Sequence, residues 1–338
     1  MSRTLLSIDE LHVTLQSDEG IVRAVNGVDF SVDAGETVCL LGESGCGKTV
    51  TCETITGLNA NIVESVSGSI TFDGIDLIAA DEGKLRSIRG DRIAHVFQNP
   101  ENALDPVFTV GDQIIEAITA HRDVDRKTAR MRVIDLLTRV GIPRARERID
   151  DYPHQFSTGM CQRVAIAIAL AAEPELLIAD EPTASLDVTV QARILQLLDL
   201  LQAETGCAML LVTHDLRVVS AMASTIVVIN EGTTVERGPI RPIFERPAHP
   251  YTQALFRTAR PGLWEGDGFT HDRVGKPPSG CRFAPECPHE VDDCGAAVPP
   301  FYPVAENVEH EVACVHFGED RDPQTVLDSS IRIGDYDE

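Results

Sequence analysis

Apolar positions along the chain fall into two rhythms. Residues 5–15 alternate roughly between apolar and polar, as a strand with one covered face does. Residues 21–32 carry more strand signal, broken at Asn26-Gly27, which reads as a turn. Short, largely apolar runs follow at 37–41, 92–97, 175–179, 208–213 and 225–230. Each is bounded by polar or turn residues, which suits strands buried on both faces. Residues 69–72 read as a strand stopped by Asp73-Gly74.

Between these lie helical patterns, at 50–58 stopping near Gly57, and at 162–172 and 191–203. Across residues 110–140, Ile114, Ile115, Ile118, Val133, Leu136, Leu137 and Val140 fall at helical spacings, and Gly141-Ile142-Pro143 closes the segment. Strands alternating with helices predict an α/β fold with a mostly parallel sheet covered by helices on both faces. No internal repeat is visible. After Gly238 prolines recur too densely for long helices, which predicts a loop-rich extension. Residues 319–338 are acidic and read as a loose tail.

Composition narrows the setting. The chain has 338 residues, enough for two domains or one with an extension. Nothing near Met1 resembles a signal peptide, and the longest apolar run, 164–172, is too short to cross a bilayer, so an intracellular chain is expected. The formal net charge is −24, and only four of the 29 basic residues are lysine. Such a surface repels nucleic acid and anionic lipid, so no nucleic-acid partner is expected. The size of the imbalance points to a salt-rich, halophilic cytoplasm, where screening relieves self-repulsion.

Candidate chemistry begins at Gly42-Glu43-Ser44-Gly45-Cys46-Gly47-Lys48-Thr49, which reads G-x-x-x-x-G-K-T between a strand and a helix. In that context the glycines let backbone N–H groups turn toward phosphate oxygens. Lys48 would reach the β- and γ-phosphates, and the Thr49 hydroxyl would bind magnesium. A second motif is the apolar run 176–179 ending in Asp180-Glu181. Asp180 would hold the metal and Glu181 would polarise the attacking water. Alone, such a strand end could be an acidic turn; the glycine loop upstream gives it a purpose. Ser157 and Gly159 open a helix and offer a second anion site, or Ser157 is a plain N-cap.

Together these segments resemble the ATP-binding subunit of ABC transporters. Residues 42–49 resemble its Walker A motif, 176–181 its Walker B, and 156–160 its signature. Gln98 matches the Q-loop glutamine, a further magnesium ligand. Ser185-Leu186-Asp187 resembles the D-loop, and His214 the switch histidine. The resemblance implies a P-loop ATPase domain over residues 1–240 with a helical subdomain inserted at about 99–172. Phe97-Gln98-Asn99-Pro100, the Phe-Ser-x-Gly-Met signature, His249-Pro250-Tyr251-Thr252 and Gly280-Cys281-Arg282-Phe283 narrow it to the dipeptide and oligopeptide importers, with their C-terminal extension at 241–318.

The resemblance implies ATP hydrolysis coupled to solute import. It implies a second ATPase subunit in a heterodimer, two membrane permease subunits, an extracellular solute-binding protein, and a peripheral place on the cytoplasmic face of the membrane. Ser157 and Gly159 would then act on the partner's ATP. A soluble ABC ATPase working on DNA or ribosomes is the rival reading, and it would call for basic surfaces. Two residues depart from the family pattern. Thr158 replaces a signature glycine and is expected to weaken that ATP site; Cys161 replaces an arginine. No aromatic stands at 21–24, where family members stack on adenine.

Cys281, Cys287, Cys294 and Cys314 crowd the last fifth of the chain without the C-x-x-C spacing of most zinc sites. Free thiols, zinc with His289, His310 or His316, and a 4Fe-4S cluster are the alternatives. The family resemblance points to the iron–sulfur cluster.

Overall fold

A computed structural model describes residues 3–17, 20–184, 186–258, 279–306, 309–319 and 321–327. Ser185, and residues 320 and 328–338 of the expected tail, lie outside those residues. In chain order the strands are β1 Thr4–Ser17, β2 Gly20–Asp33, β3 Thr37–Leu41, β4 Val63–Phe72, β5 Ile75–Asp76 and β6 Ile93–Val96. They continue as β7 Leu176–Asp180, β8 Ala208–Thr213, β9 Thr225–Asn230, β10 Thr233–Pro239, β11 Tyr302–Pro303 and β12 Glu311–Val312. The chain divides into two compact units. One comprises residues 1–6, 32–37 and 72–212; the other comprises 7–31, 38–71 and 213–338.

In the first unit, β7 pairs parallel with β6 on one side (Ile93↔Leu176 to Val96↔Ala179) and with β8 on the other (Leu176↔Ala208 to Asp180↔Val212). Every residue of β7 and β8 is buried. That is why both read as unbroken apolar runs instead of alternating ones. The single helical pattern across 110–140 resolves into two helices, Val110–His121 and Arg126–Arg139. The break is chemical: the Asp125 side chain accepts from the Thr128 N–H and starts the second helix. Helices Glu82–Ile88, Thr158–Ala169 and Val188–Thr205 complete the longer helical segments here.

In the second unit, β3 pairs parallel with β9, from Val38↔Thr225 to Leu41↔Val228. The sheet then turns antiparallel. β9 pairs with β10, β10 with β12, and β12 with β11. The loop-rich extension thus adds two short strands to a sheet edge, leaving fewer unpaired edge groups. It also contains a helix, Pro250–Thr258, opened by a proline where a missing N–H costs least. β2, β1 and β4 stand side by side in a second sheet. β2 runs through Asn26-Gly27 without the expected break. Gly27 takes φ 111°, and the Asn26 N–H finds the Gly232 carbonyl at 2.6 Å, so the strand bends and continues. Leu41, Val228, Phe244, Tyr251, Phe256 and Phe283 belong to one buried apolar cluster of this unit.

His95 in β6 tests the buried sheet of the first unit. Its ring stacks on Phe97 at 4.4 Å, and neither ring nitrogen makes a hydrogen bond. Burial holds its pKa down at about 4, against an ordinary 6.5. The ring is therefore neutral when folded, but takes a proton on unfolding below pH 6.5. Its contribution is complete above that pH and is lost as pH falls toward 4. Urea unfolding at pH 7 and pH 4.5 should show the parent losing on the order of 2 kcal/mol more than a His95→Leu variant. Equal losses would contradict this.

Candidate functional site

β3 delivers the chain into a tight loop in the second unit. Gly45 and Gly47 adopt φ 79° and 102°, a region costly for residues with a Cβ. Space is equally restrictive. A Cβ on Gly42 would meet the Ile229 carbonyl oxygen at 2.3 Å, and one on Gly47 would meet the Ala24 oxygen at 2.4 Å. Helix Lys48–Thr56 starts directly at Gly47 with no side-chain cap. Its first N–H groups are left for an anion, and the helix dipole adds partial positive charge there.

Lys48 is only 5% exposed. Its ammonium donates to the carbonyls of Gly42 at 2.7 Å and Glu43 at 2.8 Å, with Cys46 Sγ at 3.5 Å. Burial raises the Cys46 pKa more than the nearby Lys48 charge lowers it, so the thiol stays protonated and does not neutralise the ammonium. Ser44, Gly45 and Thr49 are exposed around this buried charge. The loop therefore combines a cation, open N–H groups and a hydroxyl, the donor set that phosphates and magnesium require.

In the first unit β7 ends at the buried Asp180, and Glu181 follows. Glu181 sits at φ 43°, left-handed for a residue with a side chain, held by its N–H to the Val212 carbonyl at 2.9 Å. That conformation costs roughly 1 kcal/mol or more, the kind of strain that gathers at functional sites. Gln98 Nε2 donates to Glu181 Oε2 at 2.8 Å, so these two residues, 83 apart in sequence, meet.

Ser157 is the N-cap residue of helix Thr158–Ala169, yet its side chain makes no capping bond. The plain-cap reading therefore fails, and the hydroxyl is exposed beside the helix start. A Cβ on Gly159 would meet Val190 Cγ1 at 2.7 Å, so glycine lets this helix approach Val188–Thr205 closely. Asp187 caps the latter helix, accepting from the Val190 N–H at 3.0 Å. His214 is exposed just after β8, ahead of the Asp215 cap of helix Leu216–Met222.

The extension and strand β10 before it contain residues whose placement the sequence did not reveal. Tyr251 is buried and its hydroxyl accepts the Glu43 N–H at 3.2 Å. Nothing local links residue 251 to residue 43; the sequence marked Tyr251 only as part of the His249-Pro250-Tyr251-Thr252 stretch that resembles the importer extension. Glu236 is fully buried and holds His310 Nε2 at 2.7 Å, which takes that nitrogen away from zinc. His316 Nε2 likewise lies 2.8 Å from the His289 carbonyl.

The four late cysteines share one neighbourhood, and none is in a disulfide. The Cys281 N–H donates to the Cys294 carbonyl at 2.8 Å. Burial raises Cys287 to about 11 and Cys314 to about 12. Charge on Cys281 and Cys294 adds to both shifts, and charge on Cys287 adds to that of Cys314. Among the described residues, no three His, Cys, Asp or Glu side chains close into a set that could hold a metal ion.

Comparison with known proteins agrees with this layout. The family described as ABC transporter matches residues 25–184, and the oligopeptide/dipeptide transporter C-terminal region matches 235–294. A Brucella ovis protein provisionally named a peptide import ATP-binding protein is 46% identical, over 94% of this chain and 99% of its own. The dipeptide transport ATP-binding protein DppD of Escherichia coli is 43% identical, over 87% of this chain and 92% of its own. Among solved structures, the ATP-binding cassette MJ0796 in a dimeric post-hydrolysis state with ADP and Pi has TM-score 0.63 at 28% identity, covering 70% of this chain and 99% of that one. The cbiO1 subunit from Clostridium perfringens has TM-score 0.60 at 30% identity, covering 72% and 91%. The chain belongs to the ABC transporter family of ATP-binding proteins, and it carries that family's oligopeptide/dipeptide transporter C-terminal region.

Proposed function

We propose that this chain is the ATP-binding and ATP-hydrolysing subunit of an ABC importer for dipeptides or oligopeptides. The observation that carries the reading is the buried Lys48 ammonium, set on loop carbonyls at an uncapped helix start. The names of the relatives, peptide import and dipeptide transport proteins, support the cargo class.

Roles follow from the donors. Amides of 44–49, Gly42, Gly45 and Gly47 among the residues that shape the loop, and Lys48 bind the β- and γ-phosphates. Thr49, Gln98 and Asp180 would hold magnesium. When bound, the ion offsets the charge of the phosphate oxygens. Glu181 takes the proton of the attacking water, and its strained backbone aims the carboxylate. Its bond to Gln98 occupies that carboxylate, so Gln98 can report the site's state. His214 and Asp187 complete the reaction site and its link to a second subunit. Ser157 and Gly159 present hydroxyl and helix N–H groups to the ATP of that subunit.

The assembly is a pair of ATPase subunits, different from one another, with two membrane permeases and an extracellular solute-binding protein. No described helix is long and apolar enough to cross a membrane. As the ATPase of an importer it would sit peripherally on the cytoplasmic face, where ATP is supplied. We assign residues 1–240 to the ATPase domain, with 99–172 inserted, and 241–318 to the extension. A 4Fe-4S cluster on Cys281, Cys287, Cys294 and Cys314 is the finer part of the proposal. It would require the four neighbouring thiols to turn inward and give up their protons. The charge of −24 supports a salt-rich cytoplasm.

Three measurements check these points. Glu181→Gln in the assembled complex should bind ATP like the parent but lower kcat by about 10²-fold or more. Parental turnover would remove Glu181 as the base. Anaerobically purified chain should be brown, with iron and acid-labile sulfide in equal amounts. Zinc, or no metal, would reject the cluster. The melting temperature should rise markedly between dilute and molar potassium chloride, and an unmoved curve would reject the salt adaptation.

A further inference from the structure

The bond from Glu43 to Tyr251 falls on a peptide that already has a task. The Glu43 N–H and the Gly42 carbonyl are two ends of one peptide unit. Its N–H donates to the Tyr251 hydroxyl at 3.2 Å, and its oxygen accepts from Lys48 Nζ at 2.7 Å. A trans peptide is planar, with its N–H and C=O pointing in opposite directions, and no peptide bond here is cis. Fixing the N–H end therefore aims the carbonyl end. The phenol oxygen also draws on the N–H and so increases negative charge on the oxygen facing the ammonium.

Tyr251 can serve as a fixed post because the extension locks it in place. Its side chain is 1% exposed, and its ring meets Phe283 edge-on at 5.6 Å. Its backbone N–H donates to His249 Nδ1 at 3.0 Å. The N–H groups of Ala248 and His249 in turn donate to the two oxygens of the buried Glu236, at 2.8 and 2.9 Å. Burial pushes the phenol pKa well above its ordinary value, so the group remains an uncharged hydroxyl.

We propose that Tyr251 is a positioning residue for nucleotide binding: through the Gly42–Glu43 peptide, its hydroxyl orients Lys48 for the phosphates. The proposal rests on the reading that the 42–49 loop binds ATP. It makes the extension part of the nucleotide site. Once ATP is seated, the phosphates themselves hold the ammonium. Removing the hydroxyl should therefore weaken binding more than it slows the chemical step.

The test is Tyr251→Phe in the assembled complex, beside Lys48→Ala, with KM for ATP, kcat and melting temperature measured for each. Losing one neutral hydrogen bond should raise KM about 3- to 10-fold in Tyr251→Phe, with a smaller fall in kcat and little change in melting temperature. An unchanged KM, with Lys48→Ala inactive, would overturn the proposal and leave the ATP reading intact. If Lys48→Ala binds and hydrolyses ATP like the parent, the ATP reading fails and takes the proposal with it. Hydrogen exchange at the Glu43 amide of the parent decides even if Tyr251→Phe does not fold. Exchange at least about tenfold slower than at the amide of the exposed residue Ser44 supports the bond, and equal rates overturn it.

Discussion

A buried ammonium must be surrounded by oxygen. Lys48 lies almost out of solvent, and its charge is tolerable because two carbonyls of its own loop accept from it. The constraint reaches outward. The carbonyls can turn inward only if the backbone bends as Gly45 and Gly47 allow. The loop can sit against the Ile229 and Ala24 carbonyls only because Gly42 and Gly47 lack a Cβ. The helix after Lys48 must start uncapped, since a capping side chain would take the N–H groups that phosphates need. A strand buried at every position, β3, fixes where the loop begins.

The first unit carries a complementary constraint. Asp180 and Glu181 stand at the end of a strand paired on both sides, so the carboxylates are placed by sheet register. The left-handed backbone at Glu181 is tolerated because its N–H is anchored to β8. Gln98, at the end of the neighbouring β6 run, meets it for the same reason. Register brings a residue near position 98 and one near 181 together whatever lies between them in sequence.

Much of this was legible from the chain. The apolar runs became β3, β7, β8 and β9, because strands buried on both faces leave an uninterrupted signature. The loop motif was legible because its physics is local: glycine, lysine and helix start are neighbours in sequence. Where the reading fell short, the deciding interaction was distant or small. Asn26-Gly27 looked like a turn because its partner, Gly232, lies some two hundred residues away. The 110–140 helix split at Asp125, a single cap in an otherwise helical pattern. Tyr251 acquires meaning only from the Glu43 amide. The cysteines were visible as a group, but spacing alone could not say whether they close around a metal.

In the proposed function, ATP held at the Lys48 loop drives solute uptake. Its most direct measurement is dipeptide import by cells lacking this chain, supplied with either the parent or Lys48→Ala at equal abundance. The parent should restore import, and Lys48→Ala should leave it at the level of the deletion. Full import with Lys48→Ala would contradict this.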